Sequence, residues 1–192
     1  MPRRLALCLM LAACAPLPGH ARDDVTPVRW DIDSTQSQAQ FRVRLLAIVP
    51  LAGSFEAIEG AILFDAARAQ AQVEAEVPSA TLRMRKESQA AWARSADFFD
   101  TARYPQIRFH SIAFPQQVLR DGGRIDGALS LRGITRPVTF RVKPGQCDPT
   151  SAMRCTVDLA GLVRRSDFGM KSNPGTVGDW VNLKLHIVAV RH

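Results

Sequence analysis

Beyond its first residues the chain is written in alternating runs. Phe41, Val43 and Leu45 share one parity, and Arg42 and Arg44 take the other. Ile107, Phe109 and Ser111 alternate with Arg108 and His110. Ile125, Gly127, Leu129 and Leu131 alternate with Asp126, Ala128 and Ser130. The same period recurs in Val138, Phe140 and Val142, in Val157, Leu159, Gly161 and Val163, and in Val181, Leu183, Leu185 and Ile187. A period of two sends successive side chains to opposite faces of a strand. Asp121-Gly122-Gly123, Lys143-Pro144-Gly145 and Asn173-Pro174-Gly175 punctuate these runs with turn residues.

About eight such strands, each with one polar face, predict an antiparallel sheet wetted on one side. A sheet of that size has edges to protect, and closure into a barrel removes them. The expected fold is therefore all-β, an antiparallel barrel of about eight strands. Gly60 interrupts the alternation between Phe55 and Phe64 and is expected to mark a bulge. One segment breaks the β pattern. Arg85–Ser95, RKESQAAWARS, holds good helix formers without Gly or Pro and predicts a short helix across one end of the sheet. A barrel of this size is either filled by its own side chains or wide enough for one small ligand. Periodicity does not separate the two.

Length and composition fit a single domain. The chain has 192 residues, 46% hydrophobic and 22% charged, enough for a real core. Residues 1–21 read as a signal peptide: Arg3 and Arg4, an apolar run from Leu5 to Ala13 too short to span a bilayer, then Gly19-His20-Ala21 for cleavage. Residues 22–192 form the expected domain, placed in the periplasm. Leu11-Ala12-Ala13-Cys14 also fits a lipobox, so a lipid anchor at Cys14 is the alternative. Losing Arg3 and Arg4 lowers the formal charge from +7 to +5. Outside the cytosol such a basic chain has anionic lipid or a phosphorylated ligand within reach rather than nucleic acid.

Cleavage leaves two cysteines, Cys147 and Cys155, flanking the turn-rich CDPTSAMRC. In an oxidising compartment this spacing reads as a hairpin-closing disulfide, contributing about 2.6 kcal/mol by loop closure. A metal pair is the weaker reading, since no histidine is near. His110, His186 and His192 are not at ligand spacing, and the first two take the polar parity of their strands. There is no nucleophile elbow, phosphate-cradling loop or dinucleotide fingerprint. No catalytic residue, metal or cofactor is expected.

Two spots stand out. Arg165, in Arg165-Ser166-Asp167-Phe168-Gly169-Met170, continues the inward parity of the run before it. An inward arginine needs a partner. Asp167 shares its parity and could pair with it; an anionic head group is the other reading. The second spot is Ser95–Ser111, SADFFDTARYPQIRFHS. Tyr104 before Pro105 disfavours helix, so Phe98 and Phe99 lie in a connector between helix and strand. They either cover the barrel mouth or join its core. Asp97 and Asp100 bracket them, and capping or solvation is the plainer role for both.

These motifs, in order, resemble the YceI-like family of periplasmic polyisoprenoid-binding, lipocalin-like proteins. The resemblance runs from about Val28 to Val190. It rests on Trp30-Asp31-Ile32-Asp33, Phe41-x-Val43, Gly53-Ser54-Phe55, Gly60 with Phe64-Asp65, and Ser95-x-Asp97-Phe98-Phe99-Asp100. Tyr104-Pro105, Ile107-x-Phe109, Gly127-x-Leu129-x-Leu131-x-Gly133-Ile134-Thr135 and Pro137-Val138 follow. Arg165–Met170 and Val177-Gly178-Asp179 close the series. The chain departs from the family's pattern at Gln36-Ser37, where His-Ser is common, at Arg44, where histidine is common, and at Gln89-Ala90-Ala91-Trp92-Ala93, where Arg-Asp-x-His-Leu is common.

The resemblance implies an apolar tunnel and a long-chain isoprenoid ligand, polyprenyl or quinone-like. Phe41, Val43, Phe55, Phe109, Leu129, Leu131 and Phe140 are expected to line it. Phe98, Phe99, Phe168 and Met170 are expected to close one end, with Arg165 toward a head group. Removing an isoprenoid tail from water would gain about 25 cal/mol per Å². Two alternatives stay open: a hydrolase or isomerase using Asp97 or Asp100 on a lipid-like substrate, and a filled barrel acting at a membrane surface.

Overall fold

Strand β1 (Val28–Ile32) leads through a tight turn into a hairpin of β2 (Gln38–Leu45) and β3 (Val49–Phe55). A second hairpin, β4 (Glu59–Asp65) and β5 (Gln70–Pro78), follows, then the short β6 (Leu82–Met84) and helix α1 (Glu87–Arg94). Next come β7 (Gln106–Ser111), the two-residue β8 (Phe114–Pro115) and the single turn α2 (Val118–Asp121). The hairpin of β9 (Gly123–Leu131) and β10 (Ile134–Val142) and the long pair β11 (Arg154–Arg164) and β12 (Trp180–Val190) complete the chain. This computed structural model describes residues 26–146 and 153–191. The leader, Cys14 and Cys147 lie outside the described residues, and with them the expected cleavage site, the lipid-anchor alternative and one half of the expected disulfide. Cys155 is fully buried near the start of β11.

Eight strands close a ring in the order β1-β4-β5-β7-β9-β10-β11-β12, every pair antiparallel. The seam is β12 against β1, through Asp31↔Val190 and Ile32↔Ala189. β12 is long enough to serve two neighbours on that edge. Its last residues hold β1, and Asn182–His186 hold β2. From β2 the sheet continues through β3 to β6 and α1.

The turn between β1 and β2 makes this sharing possible. The Asp33 carboxylate accepts the backbone N–H of Thr35 (3.0 Å), its hydroxyl (2.6 Å) and the Gln36 amide. These bonds, the Thr35 hydroxyl first, hold Asp33 below the usual carboxylate range. The buried Ser37 hydroxyl accepts the Val188 N–H at 3.0 Å and ties the turn to β12. Gln36 and Ser37 thus have local structural work.

The barrel, the alternating parities and the helix stand as the pattern predicts, with α1 inside the expected 85–95 window. Gly60 does not. The β4–β5 ladder runs through it without an extra residue, Gly60↔Ala75 between Glu59↔Glu76 and Ala61↔Glu74. Its glycine is required by backbone conformation instead: φ is +131°, and a Cβ there would lie 2.0 Å from the Glu74 carbonyl oxygen. A Gly60→Ala chain is expected to lose about 2–3 kcal/mol, read as a lowered midpoint in urea or heat with an unchanged m-value.

Candidate ligand-binding cavity

Three glycines on the inner wall lie under phenylalanine rings. Gly53 faces Phe41 across β2 and β3, and a Cβ at Gly53 would fall 2.5 Å from that ring. Gly161 faces Phe140 across β11 and β10, at 2.7 Å. Gly127 on β9 lies under Phe109 of β7, also at 2.7 Å. A ring that covers a glycine lies along the wall instead of crossing the lumen. Large apolar side chains therefore line the barrel without plugging it. Phe109 and Phe140 meet edge to face, centroids 5.2 Å apart, and Phe99 contacts both Phe41 (5.6 Å) and Phe55 (5.3 Å).

The inner positions are not all buried. On β12, Val181, Leu183 and Leu185 point inward yet keep partial exposure, and so do Leu159 and Val163 on β11. Inward side chains in a filled core would touch neighbours on every side. Here two buried clusters occupy the two ends. One is built around Trp30, Ile58, Ile62 and Ile125, the other around Val43, Leu131, Phe168 and Met170. The half-buried residues Ile107, Phe109, Leu159, Leu183 and Leu185 pack against both. Between the ends lies a cavity of about 180 Å³ whose exposed wall is entirely apolar. The barrel is hollow.

One end is closed by two loops that hold each other. After α1 the chain reverses through Ser95–Thr101. Phe99 N–H bonds the Ala93 carbonyl, Asp100 N–H bonds the Ser95 carbonyl, and Asp100 takes a φ of +49°. This turn sinks Phe98 onto Trp92, 4.2 Å between centroids, and tilts Phe99 into the wall. The second loop is wound around Arg165. That side chain is 6% exposed. Its Nε donates to the Gly178 carbonyl (3.1 Å), one terminal nitrogen to the Met170 and Ser172 carbonyls, and the other to the Val177 carbonyl (2.9 Å). Its guanidinium carbon lies 5.9 Å from the Phe98 ring centroid. Burial lowers its pKa from the ordinary arginine value, opposed by the Asp179 charge. Asp97 accepts the Ser172 hydroxyl at 3.1 Å and fastens the two loops together.

The residues expected at a ligand site fall as follows. Phe41, Val43, Phe55, Phe109, Leu129, Leu131 and Phe140 lie on the cavity wall, with Phe98, Phe99, Met170 and the flank of Arg165 at the closed end. Phe168 is set back in the end cluster, 1% exposed, off the wall. The expected Arg165–Asp167 pair does not form. Asp167 is exposed, and backbone carbonyls take four of the five arginine N–H groups. Sequence reasoning did not single out the wall residues of β5, Val73, Ala75 and Val77, or those of β12. Their signal was present: Val73, Ala75 and Val77 alternate with Glu74 and Glu76. His110 and His186 are outside, 3.6 Å from Glu74 and 2.8 Å from Asp158. Asp97 and Asp100 serve the loop just described. No cluster of metal-binding residues occurs among the described residues.

Known proteins share this architecture. The chain is 30% identical over 166 residues to protein YceI of Escherichia coli O157:H7, covering 84% of this chain and 85% of that one. BcnA of Burkholderia cenocepacia superposes with a TM-score of 0.72 at 24% identity, over 83% of this chain and all of the other. A polyisoprenoid-binding domain from Saccharophagus degradans, implicated in plant cell wall breakdown, gives 0.65 at 16% identity, over 85% of this chain and 98% of that one. The sequence model of the YceI-like domain matches residues 30–189, and the chain belongs to that family.

Proposed function

We propose that this protein is a periplasmic carrier that sequesters an isoprenoid-type lipid, polyprenyl or quinone-like, in the barrel cavity. The single observation that carries the reading is the hollow itself. An apolar space of about 180 Å³ forfeits contacts that a filled core would make, about 4 kcal/mol at 24 cal/mol per Å³. An apolar guest restores them. The isoprenoid class is supported by what the Saccharophagus degradans relative binds. The wall offers a guest shape and dispersion, with no group placed for acid–base or nucleophilic chemistry. The reading is accordingly a binding protein rather than an enzyme. Export and the Cys147–Cys155 disulfide belong to the same proposal.

Arg165 contributes by closing the cavity end. With four N–H groups on backbone carbonyls, it holds residues 165–178 as a cap over the lumen. A head-group role would need that network undone.

Four outcomes are expected. Organic extracts of protein purified from exporting cells should carry a co-purified prenyl lipid by mass spectrometry. A Leu183→Trp chain, with indole bulk inside the lumen, should lose it and bind a fluorescent prenyl probe about tenfold or more weakly. A clean extract together with an indifferent probe would sink the proposal. Arg165→Met should cost about 2–4 kcal/mol of stability and speed release of neutral and pyrophosphate-bearing probes alike; selective loss of the charged probe would mark Arg165 as a head-group contact. The intact mass of the exported chain should match cleavage after Ala21, and a diacylglyceryl increment on Cys14 would replace that with an anchored form.

A further inference from the structure

The outer surface of the strands β11, β12, β2, β3 and β6 carries a feature that lipid storage inside the barrel does not require. The β2–β3 hairpin ends in Leu45-Leu46-Ala47-Ile48-Val49. Leu46 is 63% exposed, Ile48 81% and Val49 53%. Three residues, 46–48, join the paired Leu45 and Val49, with the Ile48 N–H on the Leu45 carbonyl (3.0 Å) and positive φ at the two successive residues Leu46 (+49°) and Ala47 (+61°). Such turns favour Asn-Gly, and a side-chain-bearing residue held left-handed costs about 1–2 kcal/mol. The tip is aliphatic where local backbone energetics favour small polar residues. Across the sheet at the same end, Trp180 (50% exposed) lies under the Arg164 guanidinium, 4.5 Å from its ring centroid, with Leu162 (51%) one outward position along β11.

Behind this apolar rim the same face is basic. Arg42, Arg44 and Lys184 point outward from β2 and β12, and Arg83 and Arg85 border the same shallow groove. Among the described residues, Arg42, Arg44, Arg85, Arg164 and Lys184 have no carboxylate within ion-pair distance. Two acids at the far end of this face are engaged, Glu56 with Arg83 (3.2 Å) and Asp158 with His186 (2.8 Å). Asp179, beside Trp180, bonds Ser166 instead. On the β5–β7 wall, charges pair across the ladder, Arg108 on Glu76 at 2.9 Å and His110 3.6 Å from Glu74. Aliphatic tip, interfacial tryptophan and a belt of free cations match the layers of an anionic bilayer: acyl boundary, head-group level and phosphates. The Leu46 N–H bonds the Thr176 carbonyl (2.7 Å), so the tip is fixed to the Arg165-wound loop that closes the cavity.

We propose that this face docks on an anionic membrane, the hairpin tip inserting at the acyl boundary and Arg42, Arg44, Arg164 and Lys184 lying on head-group phosphates. Docking sets the closing loops of the cavity against the bilayer. The proposal deepens the carrier reading but does not depend on a lipid in the lumen.

Sedimentation with vesicles of phosphatidylcholine alone, or mixed with phosphatidylglycerol, tests it on the full exported chain. Binding is expected to the anionic vesicles only and to fall with added salt. Ile48→Asp and Arg42→Glu should each weaken it roughly tenfold or more, with melting curves unchanged. Arg124→Glu, an equal charge change on β9, should bind as the parent does. The lumen-filled Leu183→Trp chain should also bind vesicles normally, which separates this result from the carrier test. Failure to bind either vesicle, equal binding to both, or equal loss in Arg124→Glu and Arg42→Glu would overturn it. Normal vesicle binding by Ile48→Asp would remove the tip, and capture of an acidic protein without vesicle binding would assign the face to that partner instead.

Discussion

The packing of a phenylalanine ring over a glycine on the next strand is the interaction on which the rest depends. An antiparallel barrel of eight strands has barely enough interior for its own side chains. Large inward residues would fill it. Phe41 over Gly53, Phe140 over Gly161 and Phe109 over Gly127 put the ring volume where a Cβ and its neighbours would otherwise lie. The wall becomes thick and apolar while the axis stays empty. The same contact lends the glycine-bearing strands an apolar cover, which offsets what glycine costs in a strand.

A hollow has to be supported from its ends. The two buried clusters do this, and their chemistry differs. The cluster near the β1–β12 seam is a static core, with Trp30 fully buried edge-on to Phe64 and its indole N–H without a partner among the described residues. An unpaired buried donor is tolerable there only because the surrounding apolar burial outweighs it. The other cluster sits beneath loops. Its apolar packing is joined by one buried guanidinium on four carbonyls, a network that is directional and breaks together. The molecule thus has one end held by packing alone and one where packing is joined by a buried hydrogen-bond network.

How much of this was legible in the sequence follows from what period two encodes. Parity assigns a face to each residue, so the all-β class, the wall positions of β2, β7, β9 and β10 and the outward histidines could be read directly. Parity does not name the residue across the ladder. Gly127 and Gly161 were visible as inward positions, but their covering phenylalanines come from other strands, so hollow and filled barrels looked alike. Arg165 failed for a related reason. It continues the inward alternation, and the nearest acid in sequence was Asp167. Its partners are main-chain carbonyls presented by a loop whose shape no side-chain pattern records. Gly60 suggested a bulge because glycine in a strand commonly marks one; the requirement is the approach of the Glu74 carbonyl, again a neighbour from another strand.

Strand β2 brings both faces of the protein into eight residues. Phe41 and Val43 look into the lumen, and Arg42 and Arg44 look out over the basic face. A slip of one residue against β12 or β3 would exchange the two sets. It would bury two arginines without partners in an apolar space and expose the wall of the cavity, at a cost well above the stability of an ordinary domain. The register is held where that exchange would begin. Gly53 is the one residue opposite Phe41 that lets the ring lie flat, and the Gly178 N–H bonds the Arg44 carbonyl at 2.7 Å from the side of the closing loop. The cavity and the cationic surface are therefore one constraint expressed on two sides of the same strand. A change that loosens either should be felt at the other.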